Sequence, residues 1–186
     1  MTTTTTDFSS LTGTYTLDSV HSRLGFVARH AMVTKVRGSF NEFEGSAVVD
    51  GTDPSKSSVN ITIQVASVDT RNGQRDGHLR TNDFLDIERF PEITFKSTSI
   101  THEGGNDFQV TGDLTIKDVT KSIVIPLEYQ GAATDPMGNQ RIGLEGSTQI
   151  VRSDYGITYN AALEAGGVLV SDKITLEFEI SAIKTA

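Results

Sequence analysis

The chain is 186 residues long, contains no cysteine, and carries 24 acidic against 16 basic side chains for a net charge of -8 at pH 7. That length suits one domain whose core removes well over half of the unfolded chain's surface from water. The missing thiols exclude disulfides, thiolate metal sites and cysteine nucleophiles, and the negative charge opposes nucleic acid and anionic membrane surfaces as partners.

The chain opens on MTTTTTDFSS, without the basic start and apolar run of roughly 7 to 15 residues that an export signal requires, so a cytoplasmic location is expected. No apolar stretch approaches the ~20 residues of a transmembrane helix. Residues 1–7 are expected to form a mobile tail, and 8–186 a single domain.

From Phe8 onward, period-2 alternation dominates. It begins at Tyr15 and Leu17, continues through Leu24, Phe26 and Ala28, then through Val36 to Phe40 and Phe43 to Val49. The cleanest case is Val59, Ile61, Ile63 and Val65 interleaved with Asn60, Thr62 and Gln64, a strand with one wet face. Residues 70–90 break the rhythm and contain helix-compatible pieces with Thr70 and Asn72 as caps, which predicts a short helix over about 72–86. Its Leu79, Phe84, Leu85 and Phe90 would lie over an end or flank of the barrel and close it. Pro91 restarts an extended run through Ile93 and Phe95.

Further strands follow at Phe108, Val110, Leu114 and Ile116 with Gly112 holding phase, at Ile123 to Tyr129, and at Ile142 to Ile150. A long irregular loop is expected over about 153–167, and a last strand at Ile174, Leu176, Phe178 and Ile180. Asp50 to Pro54 and Glu103 to Asn106 read as hairpin ends. Short alternating strands without long helical patterns predict an all-β, closed antiparallel barrel.

Four blocks of residues resemble the YceI-like polyisoprenoid-binding family, over about Thr14 to Ile180. The first is Asp18, His21, Ser22 and Phe26 with His30; the second is Gly38, Phe40, Phe43 and Gly45. The third and most specific runs from Asp76, His78, Leu79 and Arg80 through Asp83, Phe84 and Asp86 to Phe90, Pro91, Ile93 and Phe95. In it Thr81 stands for the usual Ser and Leu85 for a second Phe. The fourth comprises Gly112, Leu114, Thr115 and Ile116 with Arg152, Asp154, Tyr155 and Gly156. The resemblance implies an eight-stranded lipocalin-like barrel with one helix, holding a long isoprenoid such as a polyprenyl phosphate or isoprenoid quinone, for storage, transport or metabolism. It implies no cofactor and no established catalytic activity, and leaves room for a homodimer.

A small barrel either fills its interior with side chains or leaves a ligand cavity. Ala28, Gly38, Gly45, Ala47, Gly112 and Gly146 among larger inward residues favour the cavity, although small residues also suit tight curvature. The expected apolar lining is Leu24, Phe26, Phe40, Phe43, Ile61, Ile63, Leu79, Phe84, Phe90, Ile93 and Phe95, continued by Leu114, Ile116, Ile125, Leu127, Ile142, Leu144, Leu176 and Phe178. For a polar head the candidates are Arg23, Arg29, His30, Arg37 and His78, with Arg75 and Arg80 considered beside them; each is more often an ordinary solvated charge.

Sharper chemistry finds less support. His21 and His78 near Ser22 and Asp76 raise a Ser/His/Asp hydrolase, but no nucleophile-elbow sequence occurs. The spacing of His21, His30, His78 and His102 matches no metal motif, and the Asn60 sequon falls inside a strand. The remaining alternative to a binding protein is a small lumen enzyme with an inward His30 as its acid or base.

Overall fold

In the computed structural model, residues 7–164 and 166–186 are described. The Thr2 to Thr6 run expected as a tail lies outside the described residues. Alternating β-branched and aromatic residues form eleven strands: β1 (Gly13–Leu17), β2 (Arg23–His30), β3 (Thr34–Phe40), β4 (Phe43–Val49), β5 (Ser58–Gln64), β6 (Val68–Asp69), β7 (Glu92–Gly104), β8 (Asp107–Ile116), β9 (Val119–Thr134), β10 (Gln140–Val151) and β11 (Lys173–Lys184). The order β1-β4-β5-β7-β8-β9-β10-β11 closes on itself through a β1–β11 pairing, giving an eight-stranded antiparallel barrel.

The three remaining strands are continuations. β11 carries β1 along Tyr15↔Lys184 to Leu17↔Ala182 and then β2 along Arg23↔Glu179 to Val27↔Thr175, so β1 and β2 are halves of one interrupted strand. β3 pairs with β2 and β4 with β1, with only Asn41 and Glu42 between them. β5 pairs with β4 and β6 with β3, across a 3-10 turn at Val65–Ser67. At the β1–β2 break, Arg141 on β10 holds both Asp18 and Asp135 (Nε to Oδ2, 2.7 Å), tying the seam to the β9–β10 turn. That guanidinium lowers the Asp18 pKa to about 2.

The helix α1 is Gly73–Arg80, shorter than the span read from the sequence. Asn72 accepts from the Arg75 backbone N–H at 3.0 Å, the expected N-cap. At the other end Thr81 is extended, and its Oγ1 donates to the His78 carbonyl at 2.7 Å, competing with the helix ladder. Thr70, expected as a second cap, is buried instead and bonds the Asp76 carboxylate through both its N–H and its hydroxyl. Eight residues with two glycines make a poor isolated helix. Tertiary bonds hold it, including Arg75 to Thr70 and Arg80 to the Ala66 and Val68 carbonyls.

The two ends of the barrel differ. At one lie α1, the β2–β3 and β8–β9 hairpins and the irregular segment after β10; at the other lie the amino-terminal 3-10 turn Ser9–Leu11 and the β4–β5, β7–β8 and β9–β10 connections. The expected hairpin ends at Asp50–Pro54 and Glu103–Asn106 are both at this second end.

Candidate functional site

Inside a closed barrel, an apolar side chain that keeps accessible surface must face empty space. Ile174, Leu176 and Phe178 on β11 do so, as do Ile61 and Ile63 on β5, Phe26 and Ala28 on β2, and Leu127 on β9. They surround a cavity of about 370 Å³, within the range of about 300–1,000 Å³ that small-molecule pockets occupy. Its wall is almost wholly hydrocarbon.

Every side chain expected on the lining is there except two. Phe43 is buried without facing the cavity, and Phe90 packs beneath the Arg89 guanidinium, 4.9 Å from its ring centre. The small residues act in two ways. Ala28, Gly45 and Ala47 face the cavity directly. Gly38 and Gly112 instead lie under rings: a Cβ at Gly38 would collide with Phe26, and one at Gly112 would come within 2.6 Å of the Lys96 carbonyl and strike Phe95. Their absent side chains let both rings lie against the wall instead of projecting across the lumen.

The polar candidates lie elsewhere. Arg23 and Arg37 reach Glu177 on the outer face of β11, at 3.3 and 3.5 Å. Arg29 is exposed, and Arg75 and Arg80 are engaged by backbone and hydroxyl groups around α1. His78 pairs with Asp83 through Nε2 at 2.8 Å and stacks edge-on against Phe84 and Tyr159. His30, expected inward, is exposed. It ends β2 still in register, His30↔Thr34 after Ala28↔Val36, and bridges to Val170, so it stands past the end of the lumen and in solvent. The hydrolase residues do not converge either. Ser22 Oγ exchanges hydrogen bonds with the Ser181 backbone, His21 Nδ1 pairs with Asp18 at 2.7 Å, and Asp76 is committed to Thr70.

Arg152, marked in the sequence only by the resemblance and not as a lining or head-group candidate, is the most unusual residue of the site. It lines the cavity with only 5 % of its surface exposed, and its guanidinium donates to the carbonyls of Ser171 (2.8 Å), Ile157 (2.9 Å) and Val170 (3.3 Å). Burial pushes its pKa down, with Asp172 opposing. It thereby gathers the irregular segment over one end of the lumen. Tyr155 beside it is 2 % exposed, its hydroxyl has no hydrogen-bond partner among the described residues, and burial raises its pKa. The opposite end is covered by Phe8 and Leu11, which also line the cavity. Phe8 is fixed by edge-on contacts with His102, Phe108 and Tyr129 at 5.2–5.4 Å. Neither end cap carries periodicity, and in the sequence only the resemblance at Arg152 and Tyr155 marks one of them.

Residues 15–182 match the profile of the YceI-like domain. A UPF0312 protein of Staphylococcus aureus strain bovine RF122 / ET3-1 is 39% identical over 169 residues, covering 90% of this chain and 95% of its own. Among solved structures, the YCEI protein of Campylobacter jejuni superimposes with a TM-score of 0.73 at 30% identity, covering 85% of this chain and 90% of that one. A polyisoprenoid binding domain from Saccharophagus degradans shares the fold, with a TM-score of 0.70 at 18% identity over 92% and 98% of the two chains.

Proposed function

The chain belongs to the YceI-like family, and from that premise we propose that it holds the tail of a long-chain isoprenoid lipid in its lumen, as a carrier or store and not as a catalyst. The observation that carries this reading is an open, hydrocarbon-walled interior in a closed barrel. The description of the Saccharophagus degradans domain as polyisoprenoid-binding supports the choice of tail. Polyprenyl phosphates and isoprenoid quinones share that tail, which is the part such a wall recognises.

Against catalysis, the ionisable side chains on the lining among the described residues are Asp50, Arg152, Tyr15 and Tyr129. Asp50 serves a turn, accepting from Thr52 and Asp53, and Arg152 is engaged by three carbonyls. The lumen enzyme would need His30 inside, and His30 is outside.

Each prenyl unit of five carbons contributes up to about 4 kcal/mol at ~0.8 kcal/mol per buried carbon group. Noncovalent affinity saturates near ~18–21 kcal/mol and ordering costs grow with length, so preference should follow the room in the lumen. Titration with prenyl alcohols of increasing length tests this. The affinity is expected to rise with each unit and then level off once the lumen is full; absence of binding at every length would overturn the proposal.

A further inference from the structure

The hairpin joining β2 to β3 has an unusual sequence for its shape. Ala31 and Met32 occupy a two-residue turn with φ of 50° and 63°, closed by the Val33 N–H to the His30 carbonyl at 3.1 Å. Such turns favour Asn and Gly, because other side chains are strained at positive φ. The β8–β9 hairpin has a similar pair of positive φ values, without the extra residue Val33, and fills them with polar Lys117 and Asp118. Here Met32 is 60% and Val33 74% exposed, and Val168, 41% exposed, lies on the adjoining segment, where the Met32 sulfur packs against Gly167. Neither turn geometry nor core packing accounts for a methionine and a valine at this tip.

Charge is segregated around the same tip. No Asp or Glu occurs between Asp18 and Glu42, although the whole chain has a net charge of -8. Arg29, His30 and Lys35 flank the apolar residues and are exposed. The opposite end carries Asp7, Asp50, Asp53, Glu103, Asp107 and Asp135, so its exposed Met137 sits in an acidic setting. The tip also adjoins the lumen: the Ala31 N–H donates to the Leu169 carbonyl at 2.7 Å, and the next residue, Val170, lines the cavity.

We infer that this hairpin tip docks the barrel on an anionic lipid bilayer, with Met32, Val33 and Val168 entering the interface and Arg29 and Lys35 meeting the head groups. The overall charge opposes such an approach, and Asp118 on the β8–β9 hairpin and Glu164 on the segment after β10 share this end, so the attraction is confined to the β2–β3 hairpin, where no carboxylate stands between Asp18 and Glu42. The inference rests on the lipid-carrier reading for its purpose, though not for its observations.

Co-sedimentation with vesicles of phosphatidylcholine alone, or with a third of it replaced by phosphatidylglycerol, tests it. The native protein is expected to bind the anionic vesicles and to release with rising salt. Arg29→Gln with Lys35→Gln should weaken partitioning about 25-fold, at about fivefold per cation. Met32→Asn with Val33→Thr should weaken it at least about tenfold. Asn tolerates positive φ, so this second pair should leave the melting midpoint unchanged or raised. No binding to either vesicle by the native protein, or undiminished binding by both folded variants, would overturn the inference. Vesicle binding by protein whose organic extract holds no isoprenoid would uphold docking while contradicting the proposed ligand.

Discussion

Replacing Ala28 with Phe separates an open lumen from a filled core. Ala28 faces the cavity and is only half-buried, whereas Val65 is fully buried in the core and does not line the cavity. Forcing a ring into packed surroundings costs about 1–3 kcal/mol, so Val65→Phe should lower stability by that amount. The same ring at position 28 enters empty space, and stability should stay within about 0.5 kcal/mol of the native protein. Its six added carbons displace roughly one prenyl unit, a gross loss of up to about 4 kcal/mol at ~0.8 kcal/mol per carbon group. Released ordering entropy offsets part of this, leaving about a 10- to 100-fold loss for a chain long enough to fill the lumen. A prenyl alcohol too short to reach Ala28 should bind unchanged. Urea denaturation reads the first quantity and titration the second. A loss of 1–3 kcal/mol in Ala28→Phe, with long-chain affinity intact, would refute the open lumen.

Phe8→Ala should speed dissociation of a bound lipid, followed by its transfer to acceptor vesicles, with a stability cost of about 3–5 kcal/mol if Phe8 behaves as core; an unchanged rate would remove it from the cap. Tyr155→Phe deletes an unpaired buried hydroxyl and should be neutral or stabilising by about 1 kcal/mol in denaturant titration. Arg152→Met leaves three carbonyls without their donor and should destabilise by about 3 kcal/mol, with faster amide exchange at the segment it gathers. Asp18 is held below its usual pKa by Arg141, so its contribution is complete above about pH 4 and is lost as pH falls toward 2. Arg141→Gln should flatten the stability-pH curve in that window, and an unaltered slope would deny the coupling.

The barrel was legible because its alternating strands put one side chain in two toward the inside, whether that inside is full or empty. For the same reason, period alone could not distinguish lumen from core: Leu114 is buried and Leu176 retains accessible surface, yet both occupy inward positions of equal type. Gly38 and Gly112 were readable as small, but not as the floors on which Phe26 and Phe95 lie, since that depends on cross-strand register. Phase was kept at His30 and at Phe43, which pairs with inward Ile63, yet neither lines the cavity, because alternation gives the face and not the height along the barrel; Phe90 lies outside any strand, beneath Arg89. Arg152 follows the last residue of β10, and a charged residue there is ordinarily solvated; only the fold shows that three carbonyls from its own segment enclose it. The helix began at the expected Asn72 but stopped at Arg80, where Thr81 offered the backbone a competing bond.

The most direct measurement of the central claim is mass spectrometry of an organic extract from natively purified protein, with Ala28→Phe prepared in parallel. A series of ions spaced by prenyl units, in near-stoichiometric amount from the native protein and reduced or shortened in the variant, is the predicted result. Extracts that are repeatedly empty, or that hold only bulk phospholipid at equal levels in both proteins, would contradict an isoprenoid-filled lumen.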